Sequence, residues 1–180
     1  MSFQAEYEAR LLENSDIVLH MPALYEAAGG RQVIELGVRS GNSTAAFLAA
    51  QETSGGHLWS VDVDWPHVPP HWVDSDGWDF LLGNDLTLAD ELPDDVDVVF
   101  IDTSHAYAQT LGELYLYANK LKAGGVILLH DTELEHPEAQ PDGMPFPVRR
   151  AVDEFAAEVG WKTEFHAGCN GLGVIYKPEA

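Results

Sequence analysis

The sequence is poor in cations and nearly free of cysteine. Nine Lys and Arg stand against thirty Asp and Glu, for a formal net charge of −21. Between residues 40 and 119 there is no Lys or Arg, while acids recur from Glu52 through Glu113. A nucleic-acid binder needs cationic side chains to displace counterions from phosphates. The composition therefore excludes nucleic acid as a partner and disfavours an anionic membrane surface. It leaves a small molecule, neutral or cationic, as the substrate, although acidity also serves solubility or a salty milieu. Cys169 is the single cysteine, so no internal disulfide can form, which suits a reducing, cytoplasmic setting. No run of about 18 apolar residues exists, so no membrane span is expected. The first ten residues are polar, carry Glu6 and Glu8, and lack the basic-then-apolar order of a secretory signal. Internal repeats and low-complexity tracts are missing too.

What is present reads as one globular domain. The 180 residues are 46% hydrophobic and 22% charged, enough for a sizeable core in a single unit spanning 1–180. Residues 3–28 have helix-like apolar spacing (Leu11, Leu12, Leu19, Leu24) interrupted by Pro22, and Gly29-Gly30 ends this N-terminal helical region. Short apolar runs then alternate with helical patterns. Strands are expected at 32–37, 58–63, weakly at 80–82, at 96–101 and at 126–129. Helices are expected at 42–51, capped among Ser40, Asn42 and Ser43, at 106–121 up to a break at Gly124-Gly125, and at 148–159. Residues 161–166 and 172–176, joined by a Gly-rich turn, read as an antiparallel pair. Such alternation predicts an α/β fold, a doubly wound and mostly parallel sheet with helices on both faces. Ligands of such sheets sit at the carboxyl ends of the strands, near the switch point.

The strand ends carry the polar residues that chemistry needs. The first runs into Glu35-Leu36-Gly37-Val38-Arg39-Ser40-Gly41, where glycines allow a sharp turn and close approach of a ligand, and the following helix offers free N–H groups. This is not the G-x-G-x-x-G pyrophosphate cradle, because Arg39 and Asn42 occupy two of its glycine positions. Taken alone it is also compatible with a plain strand-to-helix turn. The second strand ends in Asp62, with Asp64 as the fallback, at the spacing of a carboxylate that accepts ribose hydroxyls. After the third, Asn84 and Asp85 read either as an adenine-edge contact or as a turn and helix cap. The fourth ends Ile101-Asp102-Thr103-Ser104-His105-Ala106-Tyr107 and the fifth His130-Asp131-Thr132. If these strands are neighbours, about 4.8 Å apart, Asp102, His105, His130 and Asp131 converge on one metal or proton-transfer site.

Taken in order, Glu-Leu-Gly-x-x-x-Gly-x-Ser, Val-Asp-Val-Asp, Val-Val-Phe-Ile-Asp-x-x-His-x-Tyr and Leu-Lys-x-Gly-Gly-Val-Ile-Leu-Leu-His-Asp-Thr resemble the class I S-adenosylmethionine-dependent methyltransferases. The likeness is stronger to the small subgroup with the Ile-Asp-x-x-His-x-Tyr signature, related to the macrolide-sugar O-methyltransferases. It covers roughly residues 32–176, including the late helix that begins Val148-Arg149-Arg150. The resemblance implies a seven-stranded Rossmann-like sheet with the last strand antiparallel. It implies that Glu35, Gly37 and Gly41 frame the methionine end of S-adenosylmethionine and that Asp62 holds the ribose; Ser40 in the same loop, with Asn84 and Asp85 after the third strand, complete the expected cofactor contacts. Asp102 and Asp131 match metal-ligand positions, and His105 a proposed base. His130 replaces an acid of the sugar methyltransferases. As a third ligand its nitrogen would shift preference from Mg²⁺ toward Mn²⁺.

These readings converge on methyl transfer to a hydroxyl of a small molecule, a sugar or natural-product intermediate, with Asp102 and His105 in catalytic roles. The alternatives are a nucleotide-dependent oxidoreductase and a cofactor-binding accessory protein without catalysis. A homo-oligomer is left open. Two segments stay outside this scheme. Residues 65–78 hold three Trp, two His and three Pro, a packed loop or a roof for the cofactor, with His67 and His71 kept from helical ligand spacing by Pro69-Pro70. Residues 135–147, acidic and Pro-rich, sit where a substrate lid would be placed.

Overall fold

A computed structural model describes residues 2–73, 75–135, 143 and 145–179; most of the segment proposed as a lid therefore lies outside the described residues. Seven strands form one sheet in the order β3-β2-β1-β4-β5-β7-β6. They are β1 (Gln32–Leu36), β2 (His57–Asp62), β3 (Trp78–Leu82), β4 (Val96–Ile101), β5 (Leu121–His130), β6 (Lys162–His166) and β7 (Leu172–Tyr176). β1 to β5 pair parallel, and β7 lies antiparallel between β5 and β6. The expected doubly wound architecture is the one observed.

The central parallel strands β1 and β4 are buried on both faces, which is why they read as near-continuous apolar runs. Alternate side chains feed two cores. Val33, Leu58, Val98 and Phe100 pack under α1 (Phe3–Arg10), α2 (Met21–Ala28) and α3 (Asn42–Ser54). Ile34, Val61, Val99, Ile127 and Leu129 pack under α6 (Tyr107–Ala118) and α7 (Pro147–Val159). Two short helices, α4 (Pro70–Val73) and α5 (Asp85–Leu88), flank β3.

Three local expectations are corrected. Pro22 does not interrupt one long helix but opens α2, where its missing N–H costs nothing; the break lies at residues 11–20. Gly124-Gly125 do not precede the fifth strand but lie inside β5, where the pairing with β4 shifts register between Val96 and Val98. A local irregularity of this kind accommodates glycine in a strand. Finally, α3 has no side-chain cap: its N-cap is Gly41 at φ +77. The candidates are engaged elsewhere, since Ser43 Oγ donates to Glu35 and Asn42 Oδ1 accepts from Arg10 Nη1.

No helix among the described residues is long and apolar enough to cross a membrane. Residues 65–78 pack as a wall beside the first loop. Trp72 is fully buried against Phe3 and Trp78, while His67 and His71 are exposed.

Candidate functional site

The sheet order reverses between β1 and β4, and a cavity of about 470 Å³ opens at their carboxyl ends. The first loop forms its floor. Gly37 sits at φ +90, and a Cβ there would lie 1.9 Å from the Asp102 carbonyl oxygen, so the β1 and β4 ends approach more closely than any side chain permits. Gly41, at φ +77, is likewise walled in by Val68 and Trp72.

Asp62 ends β2 and ties this loop. Its Oδ2 accepts the backbone N–H groups of Val38 (2.8 Å) and Arg39 (3.0 Å), and its Oδ1 accepts that of Asp64. A carboxylate has about four acceptor positions, so capacity remains for a ligand. Asp62 lines the cavity; the fallback, Asp64, does not.

Glu35 has a different role from the one its sequence position suggests. It is fully buried under the loop and does not line the cavity. Ser43, Thr44 and Ser60 hydroxyls donate to it, and Trp78 Nε1 donates to Ser60 Oγ. Burial pushes its carboxyl up to about 7 against these three hydroxyls. Glu35 therefore joins β1, β2 and the start of α3 from beneath. Of the remaining expected cofactor contacts, Gly37, Asn84 and Asp85 line the cavity, whereas Ser40 and Gly41 stand behind it. Asn84 also caps α5, its side chain accepting from Leu86 N. The turn-and-cap reading of that residue is the one observed.

At the other end of the cavity, β4 and β5 bring the four expected residues together. His105 Nε2 lies 2.7 Å from Asp131 Oδ2 and 3.4 Å from Asp102 Oδ1. His130 Nδ1 lies 3.2 Å from Asp131 Oδ2 and 3.5 Å from Asp102 Oδ2, while its Nε2 donates to the carbonyls of Asp16 and Cys169. Hydrogen bonds to Asp102 and Asp131 carry His105 up to about 9. Burial pulls His130 down, but the same two carboxylates outweigh it and carry it to about 11. Burial works against the Asp131 anion, yet the two imidazoles hold its carboxyl well below the usual range. The cluster is thus two carboxylates neutralised by two imidazolium groups.

Asp102, His105 and Asp131 each offer a ligand atom within 4.8 Å of the others, and Asp131 Oδ1 is buried with no hydrogen-bond partner. His105 joins the two aspartates in this group, and the expected ligand His130 also turns its Nδ1 toward both of them while its Nε2 donates to backbone carbonyls. Strain concentrates here as well. Arg39 (φ +51), His105 (φ +56) and Asp131 (φ +61) all line the cavity in the left-handed region that non-glycine residues rarely occupy.

Among the lining residues that the sequence reading did not single out are Asp16, Thr103, Ser104 and Gln109. Thr103 and Ser104 lie inside the motif already read, and Gln109 sits one helical turn beyond His105, so spacing could have found them. Asp16 offers no such signal, because its segment is brought to the cavity by tertiary contacts, the hydrogen bonds from His130 Nε2 to its carbonyl and from Arg39 Nη1 to its carboxylate.

Comparison with known proteins agrees with this geometry. Among curated proteins none matches the sequence. Solved structures do. The cofactor-bound Rv0187 from MTB superposes with a TM-score of 0.72 at 17% identity, covering 99% of this chain and 90% of that one. An O-methyltransferase from Bacillus cereus in complex with SAH gives 0.68 at 16% identity, covering 97% and 89%. The SAH-bound Podospora anserina methyltransferase PaMTH1 gives 0.67 at 14% identity, covering 100% and 89%. At such identities the likeness establishes the fold. The family described as methyltransferase domain matches residues 34–132, which include the first loop, Asp62 and the whole acid–histidine cluster; the chain belongs to that family.

Proposed function

We propose that this protein transfers a methyl group from S-adenosylmethionine to a hydroxyl of a small molecule, a sugar or natural-product intermediate. One observation carries the reading. A single cavity has the Gly37 loop, Asp62, Asn84 and Asp85 along one side and Asp102, His105 and Asp131 at its end. Two of the neighbours above were solved with SAH. The backbone of residues 37–39 would take the amino-acid end, Asp62 the ribose hydroxyls, and Asn84 with Asp85 the adenine. An acidic wall also suits a sulfonium cation.

The donor supplies an electrophilic methyl group when bound. Transfer requires sulfur, carbon and acceptor oxygen in line, so positioning provides much of the rate. Asp102 and Asp131 offer acceptors to an incoming hydroxyl, and His105, wedged between them, is the group that takes its proton once free of its own. A divalent cation such as Mg²⁺ or Mn²⁺ fits Asp102, Asp131 and His105, and would lower the hydroxyl pKa while drawing carboxylate charge away from the imidazole. A metal-free version, with His105 and the aspartates acting alone, is favoured by the 2.7 Å His105–Asp131 contact.

Calorimetry tests the cofactor assignment. Asp62→Ala should weaken S-adenosylmethionine binding by about 10- to 100-fold, the loss of one or two charge-assisted hydrogen bonds. Binding of NADH in place of S-adenosylmethionine would overturn the assignment. For the chemistry, a methyl-transfer assay after dialysis against EDTA separates the two versions: full retained activity removes the cation, and normal turnover in His105→Ala removes the base.

A further inference from the structure

Behind the purine end of the cavity lies a buried acid that the chemistry above does not use. Glu113, on α6, is wholly inaccessible to solvent. Its Oε1 accepts from Thr103 Oγ1 at 2.7 Å and from Gln109 Nε2 at 2.8 Å. Gln109 Nε2 also donates to Asp85 Oδ1 at 2.9 Å, so both amide hydrogens are spent. Thr103, Gln109 and Asp85 all line the cavity, and Glu113 touches every one of them from behind.

The hydrogen-bond count leaves one oxygen on each acid without a donor: Glu113 Oε2 and Asp85 Oδ2, both buried. A buried acceptor left unmade is costly, and two facing carboxylates would repel as well. One proton placed between the two oxygens satisfies both. We propose that Glu113 is a positioning residue for the cofactor cavity, kept as the neutral acid so that its hydroxyl donates to Asp85 Oδ2 while its other oxygen holds Thr103 and Gln109. This deepens the cofactor reading above and rests on it for the binding consequence, though not for the proton itself.

The surroundings agree. Burial first, then the hydrogen bond and charge of Asp85, push the Glu113 carboxyl up to about 8. None of the largest influences on Glu113 comes from a cation. Besides Asp85 from α5, the titratable group facing the pair is Tyr117 on α6 itself, whose hydroxyl donates to the Asp85 carbonyl. From α7, Arg149 is engaged with Asp153 and Phe165, Arg150 lies over the Tyr107 ring, and Glu154 accepts from Tyr107 Oη. β4 and β5 face α6 with apolar side chains such as Val99, Ile127 and Leu129.

The sign of the pH effect follows. The folded Glu113 carboxyl titrates above its ordinary value, so folding takes up a proton between about 4.5 and about 8. Its contribution is complete at low pH and is lost as pH rises through the folded value. Above about 8 the pair becomes two anions, and the cavity wall built by Asp85, Gln109 and Thr103 loosens.

The conservative variant Glu113→Gln keeps an N–H for Asp85 Oδ2 and a carbonyl for Thr103 and Gln109, but cannot ionise. Calorimetry with S-adenosylhomocysteine should give a Kd for this variant within about threefold of the parent at pH 7. Between pH 7 and 9.5 the parent Kd should rise by about tenfold more than that of the variant, because His105, carried up to about 9, titrates in both proteins and Glu113 only in the parent. A parent Kd flat across that range, an equal rise in both proteins, or a variant much weaker at pH 7 would each overturn the proposal. An infrared measurement on the protein without cofactor reads the proton directly. Glu35, carried up to about 7, contributes one neutral-acid carbonyl band in both proteins; a second component titrating near pH 8 should be present in the parent and vanish in Glu113→Gln, and its absence from the parent overturns the proposal even if the protein binds some other cofactor. Failure to bind S-adenosylhomocysteine with that band present would instead overturn the cofactor assignment alone.

Discussion

Gly37 shows how tightly a single residue can constrain this site. Its φ of +90 already disfavours any side chain, and an added Cβ would fall 1.9 Å from the Asp102 carbonyl oxygen. The obstacle is backbone, so it cannot swing away, and it belongs to a residue of the acid–histidine cluster. Gly37→Ala should therefore cost about 2–3 kcal/mol of stability or more and weaken cofactor binding, because the strand ends must separate. Denaturant unfolding checks this, and a variant as stable as the parent would show that the two segments part freely. The aspartates behave differently. Asp62 and Asp102 are placed by the ends of apolar strands and could be named from sequence, since each directly follows or closes an apolar run, β2 at Asp62 and β4 at Ile101. Glu35 also lies in a strand but could not be placed that way. Its burial depends on three hydroxyls from other elements, two on α3 and one on β2, and no local pattern announces such partners.

Elements meet the site through their ends, and their interiors set how rigid those ends are. The α3 start is held by Glu35 below, by Arg10 of α1 through Asn42, and by Trp72 beside Gly41. Trp72 belongs to the segment read from sequence as a packed loop or roof. It is buried within 5.7 Å of the Phe3 ring and 6.3 Å of the Trp78 ring, and Arg10 lies over it. Trp72→Ala should cost about 3–5 kcal/mol and loosen the Gly41 turn. Chemical denaturation showing a loss under about 1 kcal/mol would place the segment outside the core. On the far side, His20 and His130 both bond to carbonyls of the β6–β7 turn, so the N-terminal segment, β5 and that turn share one set of hydrogen bonds.

For the whole molecule, charge is the dominant property. A net charge of −21 is spread over a surface whose central stretch, residues 40–119, contains no Lys or Arg. The cavity opens among these residues, and Arg39 is the one Lys or Arg among the described residues that line it. Polyanions should be repelled at long range at low salt and, at physiological salt, within a screening length of about 8 Å of the surface. Fluorescence anisotropy with labelled duplex DNA and single-stranded RNA should show no binding at micromolar protein in about 0.15 M salt. Measurable affinity there would contradict the small-molecule assignment.

By itself the sequence determined the order of strands and helices, the carboxyl-edge location of the site and the identity of Asp62, Asp102, His105 and Asp131. Those follow from local periodicity and from where apolar runs stop, information carried by neighbours in the chain. Only the tertiary structure decided which polar residues face the cavity and which support it. Glu35 and Gly41 lie in the first-loop motif yet stand behind it, while Asp16 and Gln109 reach it from outside the quoted motifs. It also decided how the two imidazoles are held, since backbone carbonyls of remote segments fix the Nε2 of His130 and leave its Nδ1 facing the two aspartates. The pairing of Asp85 with Glu113 has the same origin. The two acids lie 28 residues apart in chain numbering, and only the packing of α5 on α6 makes them share one site.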